Sequence, residues 1–205
     1  MVEVLGYDGL PSLPWKNGAG QTKEVARSPL ESTSENFDWR LSIAVIQQSG
    51  PFSAYPGVER TLVNCGEGSV DLDINGSIVQ LKKYEQAAFH GTDNVYATLR
   101  HGPTHDLNLM TRNSTCTGEI RIHSLNGRVD VWDPGLQALV VLAGRVEVDG
   151  VALAQLDSIV RSGADAPIVF DNAVIAVIMV RPLQMPELRG AASALSRASE
   201  GSRER

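Results

Sequence analysis

Cysteine is nearly absent: Cys65 and Cys116 stand alone, with no close spacing between them. Two such thiols exclude a disulfide framework and suit a reducing compartment, where they serve as small core hydrophobes. Histidine is as sparse, with His90, His101, His105 and His123. The nearest pair, in "HGPTH", has the spacing of a helical zinc pair, but Gly102-Pro103 forbids a regular helix there, so no metal or other cofactor is expected. Basic residues are in deficit, 18 against 24 acidic for a net charge of −6, which speaks against nucleic acid or an anionic membrane as partner. No apolar run approaches the roughly 20 residues that span a bilayer, and "MVEVLGYDG" lacks the basic and apolar regions of a secretion signal. A cytoplasmic location is the expectation. The chain has no G-x-S-x-G nucleophile elbow. The glycines, lysine and threonine of "LPWKNGAGQTKEV" are in the wrong order for a phosphate-binding loop, which needs G-x-x-x-x-G-K-[ST] between a buried strand and a helix. Upstream, "YDGLPSLP" reads as irregular chain.

What is present is alternation. Most of the chain switches apolar and polar with period two, punctuated by turn residues, the pattern of half-buried antiparallel strands in a mainly β protein. In "SVDLDINGSIVQL" the Asn75-Gly76 dipeptide suits a type I′ hairpin, where both central residues need φ > 0. A two-residue loop then sets Ile74 opposite Ser77, Leu72 opposite Val79 and Val70 opposite Leu81.

The unit from Leu62, "LVNCGEGSVDLDINGSIVQLKKYEQAAF", recurs from Leu139 as "LVVLAGRVEVDGVALAQLDSIV". Each has an apolar strand, a glycine bend, a strand, a tight turn (Asn75-Gly76, Asp149-Gly150) and a further strand. Two units of this size, each too small to bury its face alone, are expected to pack together. The unit resembles the core of a cupin, a small jelly-roll barrel. Tyr84-Glu85 and Leu156-Asp157 stand where a cupin carries Gly-Asp. The His-x-His pair, nearby Glu and later His of metal-binding cupins are missing.

A second block lies nearer the front. In "FDWRLSIAV", Phe37, Trp39, Leu41, Ile43 and Val45 share one face of a strand, and Asp38, Arg40, Ser42 and Ala44 the other. The polar row is either a solvated side or the lining of a barrel. "QTKEVAR" has the same make-up, with Thr22, Glu24 and Ala26 on one face, and pairing the two strands sets Glu24 beside Arg40. "GPFSAYPG" is a turn-rich loop displaying Phe52 and Tyr55, suited to a pocket rim.

Together these blocks resemble the HutD family, whose pattern runs W-K-N-G-G-G-x-T-x-E, F-D-W-R-x-S-x-A, G-P-F-S-x-F-P-G-x-x-R and D-L-N-x-M-x-R. The chain carries Trp15 to Gly18, Gly20, Thr22 and Glu24; Phe37 to Arg40, Ser42 and Ala44; Gly50 to Ser53, Pro56, Gly57 and Arg60; and Asp106 to Asn108, Met110 and Arg112. It departs at Ala19 and Tyr55. The resemblance implies a bicupin: an N-terminal unit over residues 1–112 and a C-terminal unit over 113–185. The end of the chain, 186–205, is rich in Ala, Ser and Arg with hardly a large apolar residue after Leu188, which by composition reads as a flexible tail. The resemblance also implies a protein that senses or buffers a carboxylate intermediate of histidine degradation, with formylglutamate and urocanate as candidate ligands.

The side-chain chemistry is compatible. Guanidinium forks of Arg40, Arg60 and Arg112 suit a carboxylate, with Lys16 as a mobile point charge, and Asn17, Asn108 and Thr22 suit an amide or formyl oxygen. The full ligand-binding set is Trp15, Lys16, Asn17, Thr22, Glu24, Arg40, Ser42, Phe52, Ser53, Arg60, Asp106, Asn108 and Arg112. No catalytic residue is assigned. A metal-independent hydrolase or isomerase is the competing class, with Glu24 and Asp38 as an acid and base pair if both face a dry lumen; salt bridges to Arg40 and Lys23 are the other use for those carboxylates. A purely structural module would instead have a lumen filled by apolar side chains. Oligomeric state is left open, a homodimer being one option.

Overall fold

The computed structural model describes residues 2–33, 35–129, 133–161 and 166–183. The tail expected over 186–205 lies outside them. Strands dominate, as the alternation predicts. In chain order they begin with β1 (Val2–Leu5), β2 (Ser12–Pro14), β3 (Gly20–Ser28), β4 (Trp39–Ile46), β5 (Gly50–Pro51), β6 (Val58–Asn64), β7 (Val70–Ile74) and β8 (Ser77–Leu81). They continue with β9 (Gln86–His90), β10 (Val95–Leu99), β11 (Thr104–Arg112), β12 (Cys116–Val129), β13 (Leu136–Val148), β14 (Val151–Leu153), β15 (Ser158–Arg161) and β16 (Ile168–Pro182). Among the described residues no helix is long and apolar enough to cross a membrane.

The strands form three antiparallel sheets. A central sheet has the order β2-β3-β4-β11-β6-β9, a small sheet β5-β10-β7-β8, and a third β1-β15-β13-β16-β12 with β14 beside β13. The central sheet is covered on both faces, which explains why β4 and β11 are buried almost throughout. Its outer face, with Leu41, Ile43, Val63, Leu107 and Leu109, packs on Ala138, Val140, Leu142, Ala176 and Ile178 of the third sheet. Toward the other side, Leu62, Ala87 and Phe89 pack against Val70, Leu72, Leu81, Val95 and Ala97 of the small sheet. Cys65 and Cys116 are free thiols in the first of these cores.

The hairpin at Asn75-Gly76 has the predicted register, with Val70 opposite Leu81, Leu72 opposite Val79 and Ile74 opposite Ser77. Both turn residues have positive φ, 52° and 88°. The later turn repeats this at Asp149 (49°) and Gly150 (79°). The repeat extends to the following bend. Tyr84 and Leu156 both take left-handed backbone, φ 66° and 70°, a conformation uncommon for residues with a side chain. In one bend Glu85 Oε2 accepts from Lys82 N–H, and in the other Asp157 Oδ2 accepts from Ala154 N–H. The same bend geometry stands on two different sequences, so the missing Gly-Asp does not mark a missing turn.

Four expectations need correction. "SLP" is not irregular chain: Ser12 to Pro14 form an edge strand paired with Gln21 to Lys23, a place where proline is tolerated because its missing N–H can face solvent. It leads through a hairpin into β3, not into a helix, so the phosphate loop stays excluded. Ala26 does not share the face of Thr22 and Glu24, because the ladder slips between Glu24 and Ala26; such a bulge moves every later side chain to the opposite face. Phe37 precedes β4 and packs with Val58 and Met110 rather than beside Leu41. Finally, β1 pairs with β15, so the first residues join the third sheet and not the central sheet that holds β2 to β4.

Candidate functional site

Partners across an antiparallel ladder share a face, so the register of β3, β4, β11, β6 and β9 fixes the lining of the N-terminal lumen. Three rows cross it: Thr22, Ala44, Asp106 and Asn64; Glu24, Ser42, Asn108, Leu62 and Ala87; and Arg40, Met110, Arg60 and Phe89. Arg40, Ser42, Arg60, Asn64, Asp106 and Asn108 are all buried. The polar face of "FDWRLSIAV" is therefore a lining, not a solvated side. The third sheet is different, since the core on it that is separate from the central sheet is built from Leu136, Leu139, Val146, Phe170 and Ile175 and similar apolar groups.

The lining divides into groups that have partners and groups that do not. Glu24 and Arg40 pair as expected, Arg40 Nε donating to Glu24 Oε2 at 2.7 Å, and the bulge brings Arg27 Nε to 3.3 Å from Glu24 Oε1. Asn64, which the sequence reading did not single out, is fully buried and fully bonded: its amide donates to Gly68 O and Leu81 O and accepts from Gly66 N–H and Thr104 Oγ. Neither set calls for a ligand. Arg60, Asp106 and Asn108 do. They are 5%, 2% and 5% exposed, and Arg60 Nε, Asp106 Oδ1 and Asn108 Oδ1 have no hydrogen-bond partner among the described residues. A buried polar atom left unpaired costs about 1–3 kcal/mol, so three on neighbouring strands mark a place where a polar guest is favoured.

Arg60 is held among aromatic rings. Its guanidinium lies 5.1 Å from the Phe52 ring, 5.0 Å from Phe89 and 5.7 Å from Tyr55. Its Nη1 donates to the carbonyl of Ser53 at 3.3 Å, so Ser53 contributes backbone while its side chain faces out. Phe52 in turn meets Trp15 edge-on at 6.1 Å, and Trp15 Nε1 donates to Thr22 Oγ1 at 2.7 Å. The row Trp15–Phe52–Arg60 joins the glycine turn to the lumen. Burial pulls the Arg60 guanidinium down to about 10, still charged at neutral pH, and lifts the Asp106 carboxyl to about 7 against the attraction of Arg60. Arg60 has no carboxylate within ion-pair distance among the described residues. Phe89 was missed from sequence; its signal was the "QAAFH" alternation, which places it inward but not beside Arg60.

Other expected residues sit elsewhere. Lys16 and Asn17 are exposed on the turn between β2 and β3. Asn17 Oδ1 accepts from Ala19 N–H at 3.0 Å, so this side chain shapes the turn. Gly20 is required by contact: a Cβ there would lie 2.4 Å from Val45 O and 3.2 Å from the Trp15 ring. Gly20→Ala is expected to lower stability by about 1–3 kcal/mol, the usual scale for overpacking, read from the urea unfolding midpoint. Arg112 braces the segment before β4, Nε donating to Phe37 O at 2.8 Å and Nη2 to Glu35 O at 3.0 Å. Asp38 precedes β4 and does not join Glu24 in the rows. His105 lies within β11, its ring edge-on to Tyr7 at 5.8 Å and its pKa lowered by burial and by Lys23.

Comparison with known proteins agrees with this arrangement. A cupin 2 conserved barrel domain protein from Leptotrichia buccalis superposes with a TM-score of 0.56 over 87% of this chain and 96% of its own at 11% identity, which identifies the fold as cupin. HutD from Pseudomonas fluorescens SBW25 superposes with a TM-score of 0.72 at 28% identity, covering 89% of this chain and 99% of that one. Protein Ves of Citrobacter koseri is 39% identical over 123 residues, 59% of this chain and 63% of its own length; the match thus spans under two thirds of that relative. A 21.2 kDa protein in the hutC 3′ region of Pseudomonas putida is 31% identical over 152 residues, 70% of this chain and 80% of its own. The HutD family model matches residues 8–176, from the 3-10 turn after β1 to the middle of β16. Its span takes in every lining residue of the lumen, and the chain belongs to the HutD family.

Proposed function

We propose that the chain binds a small carboxylate in its N-terminal lumen and thereby senses or buffers an intermediate of histidine degradation, modulating histidine utilisation in the cytoplasm. The observation that carries the reading is the uncommitted buried triad: a donor at Arg60 Nε, the carboxyl oxygen Asp106 Oδ1 and an acceptor at Asn108 Oδ1. A guanidinium shielded from water and lacking a carboxylate partner is matched by a carboxylate guest, and the Asn108 amide oxygen by an N–H. Formylglutamate and urocanate each carry both a carboxylate and an N–H. The histidine pathway rests on the motif resemblance and on the names of the relatives from the two Pseudomonas species.

A metal-independent hydrolase or isomerase on a related amide is the second reading. It is favoured by Asp106, whose carboxyl is lifted to about 7 in a dry site, the range suited to proton transfer at neutral pH. Calorimetric titration with formylglutamate, urocanate and glutamate, alongside product analysis after long incubation, separates the two. Saturable binding with ligand recovered intact supports the sensor. Turnover that disappears in Asp106→Asn supports the enzyme.

A further inference from the structure

The three uncommitted groups of the lumen are sealed from solvent. Arg60, Asp106 and Asn108 are each 5% exposed or less, so a guest reaches them only through a wall that moves. Most of the surroundings of Arg60 are fixed. Phe89 and Met110, its neighbours on β9 and β11, are each 4% exposed, and at the far end of the same row Arg40 is pinned by its bond to Glu24. The remaining side is made of rings. Phe52 and Tyr55, both half-buried, lie between the guanidinium and solvent.

The backbone that carries these rings is tied down. Phe52 N–H donates to Val95 O at 2.9 Å and Tyr55 N–H to Gly91 O at 2.7 Å, and a Cβ on Gly91 would lie 2.1 Å from Tyr55 O. A loop anchored in this way opens by turning a side chain rather than by lifting. Phe52 is held against that turn by Trp15, which meets it edge-on at 6.1 Å and is itself fixed by the bond from Nε1 to Thr22 Oγ1. An aromatic pair of this geometry favours one rotamer roughly two- to tenfold.

The glycine turn is the seat of the indole. Trp15 N–H donates to Gly20 O and Gly18 N–H to Trp15 O, Gly18 holds φ at 70°, and the missing Cβ of Gly20 leaves room for the ring. Asn17 closes the turn through Ala19 N–H. The segment "WKNGAG" thus keeps Trp15 in place while Lys16 and Asn17 face out. We propose that Phe52 is the gate of the N-terminal lumen and Trp15 its latch, a carboxylate reaching Arg60 when the Phe52 ring swings away from the indole. The guest is taken from the binding reading above; the gate stands on geometry alone.

Butane-2,3-dione, a small reagent that adds to guanidinium groups, reads the gate in the full chain without any ligand. Modification is followed residue by residue from peptide masses, with the exposed Arg128 as internal standard. In the wild type Arg60 is expected to react far more slowly than Arg128. Trp15→Ala should speed Arg60 roughly tenfold and Thr22→Val, which removes only the acceptor of the latch, roughly threefold, with Arg128 unchanged. Circular dichroism checks that both variants are folded, and Thr22→Val keeps the test open where Trp15→Ala fails to fold. Stopped-flow mixing with formylglutamate adds a reading that a simple brace would not give. Loss of the latch should raise the association and dissociation rates together and leave Kd within about threefold. Arg60 modified at the wild-type rate in the folded variants overturns the gate, as does a wild-type Arg60 as reactive as Arg128, or a Trp15→Ala variant that loses affinity with its association rate unchanged. Faster modification of Arg60 in a chain that binds none of formylglutamate, urocanate and glutamate supports the gate and overturns the reading of its guest.

Discussion

Arg60→Ala is expected to weaken carboxylate binding by about 2–4 kcal/mol, roughly 30- to 1000-fold in Kd. The size follows from burial. A guanidinium with 5% exposure, ringed by Phe52, Tyr55 and Phe89, meets its guest with little water between them, and a hydrogen bond to a charged group in such a place is worth more than one at the surface. Arg60→Lys should recover only part of the loss, because an ammonium presents no planar fork. Arg112→Ala is the matched control: its donors are already committed to the carbonyls of Phe37 and Glu35, so affinity should stay at the wild-type value while stability falls by about 1–2 kcal/mol. Titration calorimetry and urea unfolding read the two quantities separately.

The second large effect is pH dependence through Asp106. Its carboxyl titrates at about 7 in the folded protein and near 4 in the unfolded chain. Between those values the native state holds a proton that the unfolded chain has released, so this residue's contribution to stability is full in acid and is lost as pH rises toward about 7. The loss is on the order of 4 kcal/mol across the window, and Asp106→Asn should flatten it. Ligand binding follows the same proton. Below about 7 the neutral acid leaves Arg60 as the net charge of its neighbourhood and offers an O–H to the guest carboxylate. Above that pH the ionised Asp106 opposes a carboxylate, and affinity should fall by up to tenfold per pH unit. Binding should also take up protons, measurable by titrating in buffers of different ionisation enthalpy. Affinity that rises above neutral pH would show that Asp106 acts as an acceptor instead.

How much of this was legible beforehand varied with the range of the interaction. The Asn75-Gly76 hairpin and its register were readable because a two-residue turn dictates its own geometry. The pairing of β3 with β4, and with it the Glu24–Arg40 contact, was readable from two strands of matching make-up. What could not be read was parity after an irregularity: one slipped residue at Val25 turned Ala26 to the outer face and delivered Arg27 to Glu24. Nor could the sequence rank Arg40 against Arg60. Both stand in family-like motifs on strands with an inward face, and the distinction depends on company from afar, a Glu24 already committed to Arg40 and a Phe89 that β9 places beside Arg60. Lys16 and Asn17 looked like ligand groups because they adjoin a tryptophan and a glycine turn. In the folded chain Trp15 reaches inward to Thr22 while the two polar residues after it face out.

The most direct measurement is a crystal structure of the chain with urocanate or formylglutamate, grown one pH unit below the Asp106 midpoint. The ligand carboxylate is predicted within hydrogen-bond distance of Arg60 Nε and the protonated Asp106, and the ligand N–H within reach of Asn108 Oδ1, with the Phe52 ring alongside. A lumen closed to both compounds, or ligand density confined to the exposed turn at Lys16 and Asn17 with Arg60 untouched, would contradict it.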